Sequence, residues 1–227
     1  MSHKQLVPQS LKKLMPSLEG EYENLWNEKW SWSPEQEDAI TDMLNEGFYV
    51  IDHIRKGAIL FVGVNPSILK GNGGLKNQMG DFANIPYFEP FRNISDECGF
   101  DGEFSVADLF AIRCTTQKTL ENLLEKDRSF ENFCKKQFEL FLKIMRQAEP
   151  CVIVVCNAYA SGWMKKTLKS DTLHFDDTIG TYRISMEDMN NVPIFFSSML
   201  SGQRALDIFS RERLVWQIKH YLKNPRK

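Results

Sequence analysis

Ala58-Ile59-Leu60-Phe61-Val62-Gly63-Val64-Asn65-Pro66-Ser67 is the stretch on which the reading of this 227-residue chain turns. Its first five residues are apolar without alternation, the pattern of a strand covered on both faces. Gly63 permits close backbone approach, Asn65 brings a donor and an acceptor, and Pro66 stiffens the exit. In open α/β sheets ligands bind just beyond the carboxyl ends of such strands. A plain strand-ending turn is the competing reading of the pentapeptide, and the downstream sequence has to decide between them.

Three more apolar runs follow: 104–111, 151–156 and 192–196. Between them lie helical patterns. Residues 130–148 repeat Phe130, Phe133, Cys134, Phe138, Phe141, Leu142 and Met145 at helical spacing, and Glu149-Pro150 breaks the run. A helix is expected over 159–168, and a last one carries Leu214, Val215, Ile218, Tyr221 and Leu222 on one face. Ser33-Pro34-Glu35-Gln36 predicts a helix start with Ser33 as N-cap, Ala39, Ile40, Met43 and Leu44 on the inner face, and Gly47 at its end. Residues 65–104 read as one long loop, and 172–189 as a hairpin around Gly180. Strands alternating with helices predict an α/β protein. The expected form is a three-layer α/β/α sandwich on a central, mainly parallel four-stranded sheet. Residues 1–32 read as an appended N-terminal helical segment clamped by Trp26, Trp30 and Trp32, and residues 33–227 as a single α/β/α domain.

Composition narrows the function classes. Hydrophobic residues are 42% and charged residues 26% of the chain, ordinary for a globular protein. No apolar run approaches the roughly 18–20 residues that a membrane helix needs. The first residues lack the apolar core of a secretory signal, so a cytoplasmic protein is expected. Five cysteines (Cys98, Cys114, Cys134, Cys151 and Cys156) form no C-x-x-C pair, and His3, His53, His174 and His220 show no metal spacing. Neither a metal nor another cofactor is expected. A formal net charge of −2 argues against bulk attraction to nucleic acid but leaves room for a local basic face. Lys165, Lys166, Lys169, Arg211, Arg213 and Lys219 are candidates for such a face, or are plain solvated helix surfaces.

Three strand ends are expected to converge on one rim: Asn65, Asp108 and the 197–204 loop, with Phe82, Tyr87, Phe88 and Phe91 between them. An amide, a carboxylate, an aromatic platform and a Ser/Gly/Arg loop at one mouth suit a planar, hydrogen-bonding ligand.

The order of these features resembles the uracil-DNA glycosylase superfamily, in particular its mismatch-specific and single-strand-selective types. Gly63-Val64-Asn65-Pro66-Ser67 is similar to the family's first motif, and Ile85-Pro86-Tyr87 to the element bearing the aromatic that stacks on the base. Residues 107–113, Ala-Asp-Leu-Phe-Ala-Ile-Arg, resemble its second strand motif, and residues 150–160 its third. Met199-Leu200-Ser201-Gly202, followed by Gln203-Arg204, resembles the last. The likeness covers about residues 55–223. It implies a DNA glycosylase of base excision repair, a hydrolase that binds a flipped base in DNA and breaks its N-glycosidic bond. Asn65 would place the attacking water, and Asp108 stands where the family reads the base. Ser201 would bind a phosphate, and Tyr87, or next Phe88, would stack on the base. Gly63, Val64, Pro66, Ser67, Met199, Gly202 and Arg204 complete the implied binding set. DNA and a base or nucleoside are the implied partners, with no membrane, and a monomer is expected.

The departures carry chemistry too. An ionised Asp108 only accepts hydrogen bonds, whereas the Asn of relatives donates and accepts. Facing uracil O4 it would oppose acceptor to acceptor, so weak or no uracil excision is expected. Burial that keeps it protonated would restore a donor, and a base edge with two donors would suit the ionised form. Met199 replaces a polar family residue and Ser67 a glycine. Cys134 falls near one ligand position of the iron–sulfur branch, but that branch's N-terminal C-x-x-C is missing, so no cluster is expected. Two other functions remain open at this point: a nucleic-acid-binding protein without catalysis, and an enzyme of free nucleosides or other small planar substrates. Each candidate residue also has an ordinary role open to it. Asn65 and Ser201-Gly202 can be turns, Asp108 can pair with Arg113, and Tyr87 and Phe88 can be core.

Overall fold

The computed structural model describes residues 15–50, 53–67, 85–202 and 205–223. Its centre is the β1 strand, Ile59–Gly63, flanked by β2 (Phe104–Asp108) and β3 (Val152–Val155), both parallel to it. Next to β3 runs β6 (Met189–Phe196), again parallel. The four apolar runs seen in the sequence are these four strands. The sheet, however, has six strands and is mixed, with order β2-β1-β3-β6-β5-β4. The extra pair, β4 (Leu173–Asp176) and β5 (Thr181–Met186), is the hairpin around Gly180, which takes φ +66° at the turn. β6 is long enough to hold β3 on one side and β5 antiparallel on the other, so the hairpin joins the sheet rather than standing beside it.

Side chains alternate faces along a strand, and both faces are dry here. Leu60, Val62, Ala107, Ile153, Val155 and Ile194 meet one helical layer, and Ile59, Phe61, Phe104, Val106, Val152, Val154 and Phe195 meet the other. The first layer holds α1 (Met15–Asn27), α2 (Glu37–Asn45), α4 (Gln117–Lys126), α5 (Arg128–Ala148) and α6 (Ala158–Thr167). The second holds α3 (Glu89–Glu97) and α7 (Ile208–Lys223). None of the described helices is long and apolar enough to cross a membrane.

The stretch expected as one long loop contains a helix, and its residues 68–84 lie outside the described residues. Pro86–Phe88 form a 3₁₀ turn that leads into α3, which buries Phe91 and Ile94 under the sheet. Its short length and the Pro at its start hid the helix from a periodicity argument. α4 was likewise not expected, although Leu120, Leu123 and Leu124 bury one face of it.

The N-terminal segment shares the main core. Leu18, Tyr22 and Leu25 of α1 are buried with the residues of α5. Trp26, Trp30 and Trp32 all set ring edges against Phe133, and Trp30 stacks on Trp32 at 5.7 Å. Lys136–Glu28 (2.6 Å) and Lys143–Glu21 add ion pairs between α1 or its end and α5.

Ser33 is not the cap of α2. The chain makes a turn over 34–36, Gln36 holds the cap position without a side-chain bond, and Ala39 is exposed. Ser33 instead donates from its N–H (2.6 Å) and its hydroxyl (2.8 Å) to Asp127 Oδ2. Asp127 Oδ1 accepts from Phe130 N–H (2.7 Å), which caps α5. One buried carboxylate thus joins the chain before α2 to the longest helix. Burial alone would push its pKa up, but the bonds from Ser33 and Phe130 outweigh that and hold it below the ordinary value. Asp127→Ala is expected to cost about 2 kcal/mol in urea unfolding at pH 7, from the lost cap and the stranded Ser33 donors. Because the folded-state pKa is lowered, this contribution is present above the unfolded pKa. It is lost as pH falls through the folded one, so wild type and variant should converge in acid.

Candidate functional site

The carboxyl ends of β1 and β2 open on a cleft of about 430 Å³, a size that suits a nucleoside-sized ligand. The register explains its floor. Gly63 of β1 lies opposite Asp108 of β2, and a Cβ on Gly63 would collide with Asp108 Oδ1. The missing side chain is what lets the carboxyl lie over the strand end. Val106, Phe88 and Phe91 continue the floor on the same face of the sheet.

The loop after β1 is not free. Leu109 N–H donates to Gly63 O (3.1 Å), Phe110 N–H to Val64 O (3.0 Å) and Cys114 N–H to Pro66 O (3.0 Å), so 63–66 is zipped to the chain that follows β2. Asn65 fastens the same seam. Its Nδ2 reaches Cys114 O (2.7 Å), Pro66 O (3.0 Å) and Ile112 O (3.3 Å). Three carbonyls around one nitrogen fix which end of the amide is which. They leave Oδ1 as an acceptor with no donor among the described residues. From behind, the buried Gln137 accepts from Ala111 N–H (2.9 Å) and Ile112 N–H (3.1 Å) through its Oε1, which satisfies two buried backbone donors.

Asp108 is the unusual group. Burial pushes its carboxyl up from the ordinary 3.8 to about 7, and among the described residues nothing donates to it. Arg113, its conceivable partner, instead donates to Glu46 O (3.2 Å). At neutral pH the group is therefore close to half protonated and able to donate. Tyr87 stands at the rim with 51% of its surface exposed, edge-on to Phe88 (5.0 Å) and tilted against Phe91 (5.6 Å). The exposed part is ring, and the hydroxyl is the enclosed end. Burial, then Asp108, then Cys156 raise its pKa to about 12, and Ser201 lowers it slightly.

Of the residues singled out in the sequence, Gly63, Val64, Asn65, Pro66, Ser67, Tyr87, Phe88, Asp108 and Met199 line this one cleft. Phe88 is buried at 3% and belongs to the floor, not to an open platform. Ser201 is not in the lining. It is buried behind, near the Tyr87 hydroxyl, and its Oγ makes no hydrogen bond of good geometry. Gly202 is exposed at φ +80° in the turn beyond, also outside the lining. Phe82 and Arg204 lie outside the described residues. The far wall was not anticipated: Cys114, Thr115, Gln117, Cys156 and Asn157. Asn157 Oδ1 accepts from Tyr159 N–H (2.8 Å) and Ala160 N–H (3.3 Å) to cap α6, and its Nδ2 donates to Gln117 Oε1 (3.0 Å). Its place after β3 matches that of Asn65 after β1, a signal that was available. Gln117 carried none. Among the described residues no group of His, Cys, Asp and Glu could hold a metal ion. No family model matches the chain, and no curated protein matches it.

Two substitutions test the site's electrostatics and its shape. Asp108→Asn removes a carboxyl whose folded pKa is raised. That group costs almost nothing well below its unfolded pKa of 3.8, where both states are protonated, and its penalty grows until pH passes about 7. The variant should therefore approach wild type at about pH 3 and exceed it at pH 8 by up to about 4 kcal/mol in urea unfolding. Gly63→Ala should force Asp108 off the strand end and weaken the β1–β2 pairing, seen as a lower thermal midpoint together with loss of the Asp108 titration near 7.

Proposed function

We propose that the cleft takes up a nucleobase swung out of DNA and hydrolyses its N-glycosidic bond, as a divergent protein of the uracil-DNA glycosylase type. The reading is carried by one observation: Asn65, Tyr87 and Asp108, far apart in the chain, line a single cleft of about 430 Å³. Tyr87 offers a ring face at the rim for stacking, worth about 1–3 kcal/mol per base. The fixed Oδ1 of Asn65 accepts a hydrogen bond from water and aims its oxygen at the sugar carbon. As the bond breaks, its electron pair leaves with the base and positive charge develops on the sugar. Protonated Asp108 then donates a hydrogen bond to the departing base, where an ionised one would repel it. Water completes the exchange, giving the free base and an abasic sugar.

A second reading, capture of a base without turnover, is favoured by Ser201. In this arrangement that hydroxyl sits behind Tyr87 and would not reach a phosphate in the cleft.

Excision assays on single- and double-stranded oligonucleotides carrying uracil and a panel of other modified bases, run from pH 6 to 8.5, separate these readings. Release of a base, reduced about 10²-fold in Asn65→Ala, is the expected result. The rate should fall as pH rises through about 7, where Asp108 loses its proton. Asp108→Asn, which keeps a donor at every pH, should flatten that fall. A rate that instead climbs through the same range would assign the ionised form to the ligand. Saturable binding with no release across the panel would establish capture alone, and absence of both would overturn the proposal.

A further inference from the structure

Behind Asp108, on the side away from the cleft, lies a second and much smaller chamber of about 10 Å³, room for one water molecule. Its walls are Tyr22 from α1, Tyr49, Asp108, and the apolar residues Val50, Ala107, Phe110, Ala111 and Ile144. We propose that one water occupies this chamber and links the Tyr22 hydroxyl to the Asp108 carboxyl, making Tyr22 of the N-terminal helix a positioning residue for the acid of the cleft.

Two polar residues on its walls make the case. Tyr22 is 1% exposed, and a phenol that deep in a core normally finds a partner. Among the described residues none donates to or accepts from its hydroxyl, and the same holds for the Asp108 carboxyl. Both line a space that a water fits, and a water needs at least two polar partners to be held. The two groups act on each other: the Asp108 charge is, after burial, the largest influence raising the Tyr22 pKa.

The direction of the effect follows from the donors. With Asp108 ionised, Tyr22 O–H donates to the water and the water donates to the carboxylate, which favours the charged form. The other titratable groups around the pair are Tyr87 and Cys156 on the cleft side, Tyr49 within the chamber, and Glu21 beside Tyr22. Glu21 is paired with Lys143 of α5, and burial keeps Tyr87 and Cys156 neutral up to alkaline pH. The inference rests on the position of Asp108 and not on what the cleft binds.

The test is the Asp108 titration itself, followed by carbon NMR of the side-chain carboxyl in the full chain, with Asp108→Asn identifying the signal. In Tyr22→Phe the midpoint should rise by about 0.5–1 unit, because a donor to the anion is gone. A role in packing alone would lower the thermal midpoint and leave the titration in place, and an unmoved titration in folded Tyr22→Phe overturns the proposal. If that variant does not fold, a high-resolution crystal structure of the unaltered protein decides. A water within hydrogen-bond reach of both oxygens supports the link, and a dry chamber refutes it. Base-excision activity, present or absent, changes none of these outcomes.

Discussion

The cleft depends on a residue that has no side chain. Parallel pairing of β1 and β2 sets Gly63 against Asp108, and the carboxyl occupies the space where any other residue would carry a Cβ. From that contact the rest follows. The carboxyl is held over the sheet's end and desolvated there, with the apolar floor of Val106, Phe88 and Phe91 beside it. Desolvation then raises its pKa into the neutral range, where a carboxylic acid can act as a donor. A larger residue at position 63 would turn the same carboxylate outward to water and leave an ordinary acid.

The surroundings of that contact are built to stay still. The segment after β1 and the segment after β2 are irregular, yet each is bonded to the other, and Asn65 and Gln137 close them from both sides. Site residues on such a seam hold their geometry better than residues on a free loop. Stability is given up in return. A half-buried acid that no cation among the described residues pairs with weakens the fold at neutral pH. The deep core supplies the margin: Phe130, Phe133, Phe138 and Phe141 on α5, the strands' own aliphatics, and the α1 residues that a linear reading sets apart from the body.

The parts legible in the sequence share a physical basis. An unbroken apolar run, as in β1 or β3, has one way to be satisfied in water, namely burial on both faces, and α5 repeats Phe and Leu at a period only a helix can bury on one side. Asn65 and Asp108 could be singled out because they fall at the ends of apolar runs, and Tyr87 because of its place in the motif order between them. The failures are local preferences overruled at a distance. Ser33 has the chemistry of a helix cap, but Asp127, 94 residues further on, offers a stronger acceptor. The helix at 89–97 is too short to announce a period, and it exists because Phe91 and Ile94 find the underside of the sheet. Gln117, at the start of α4, is tied across the cleft by its bond with Asn157, a pairing with no trace in either neighbourhood.

By itself the sequence determined which segments must be buried and with what period, hence the α/β class, because hydrophobic patterning is written residue by residue; the sheet it was expected to build has six strands and is mixed. Tertiary structure decided everything that requires two segments to meet. It set the register that brings Gly63 under Asp108, the hairpin's entry into the sheet, the withdrawal of Ser201 behind Tyr87, and the approach of Tyr22 to the cleft's acid from the rear. Desolvation is the physical reason for the difference. The environment that lifts a carboxyl to about 7 is assembled from atoms far away in the chain, so no local stretch of residues carries it.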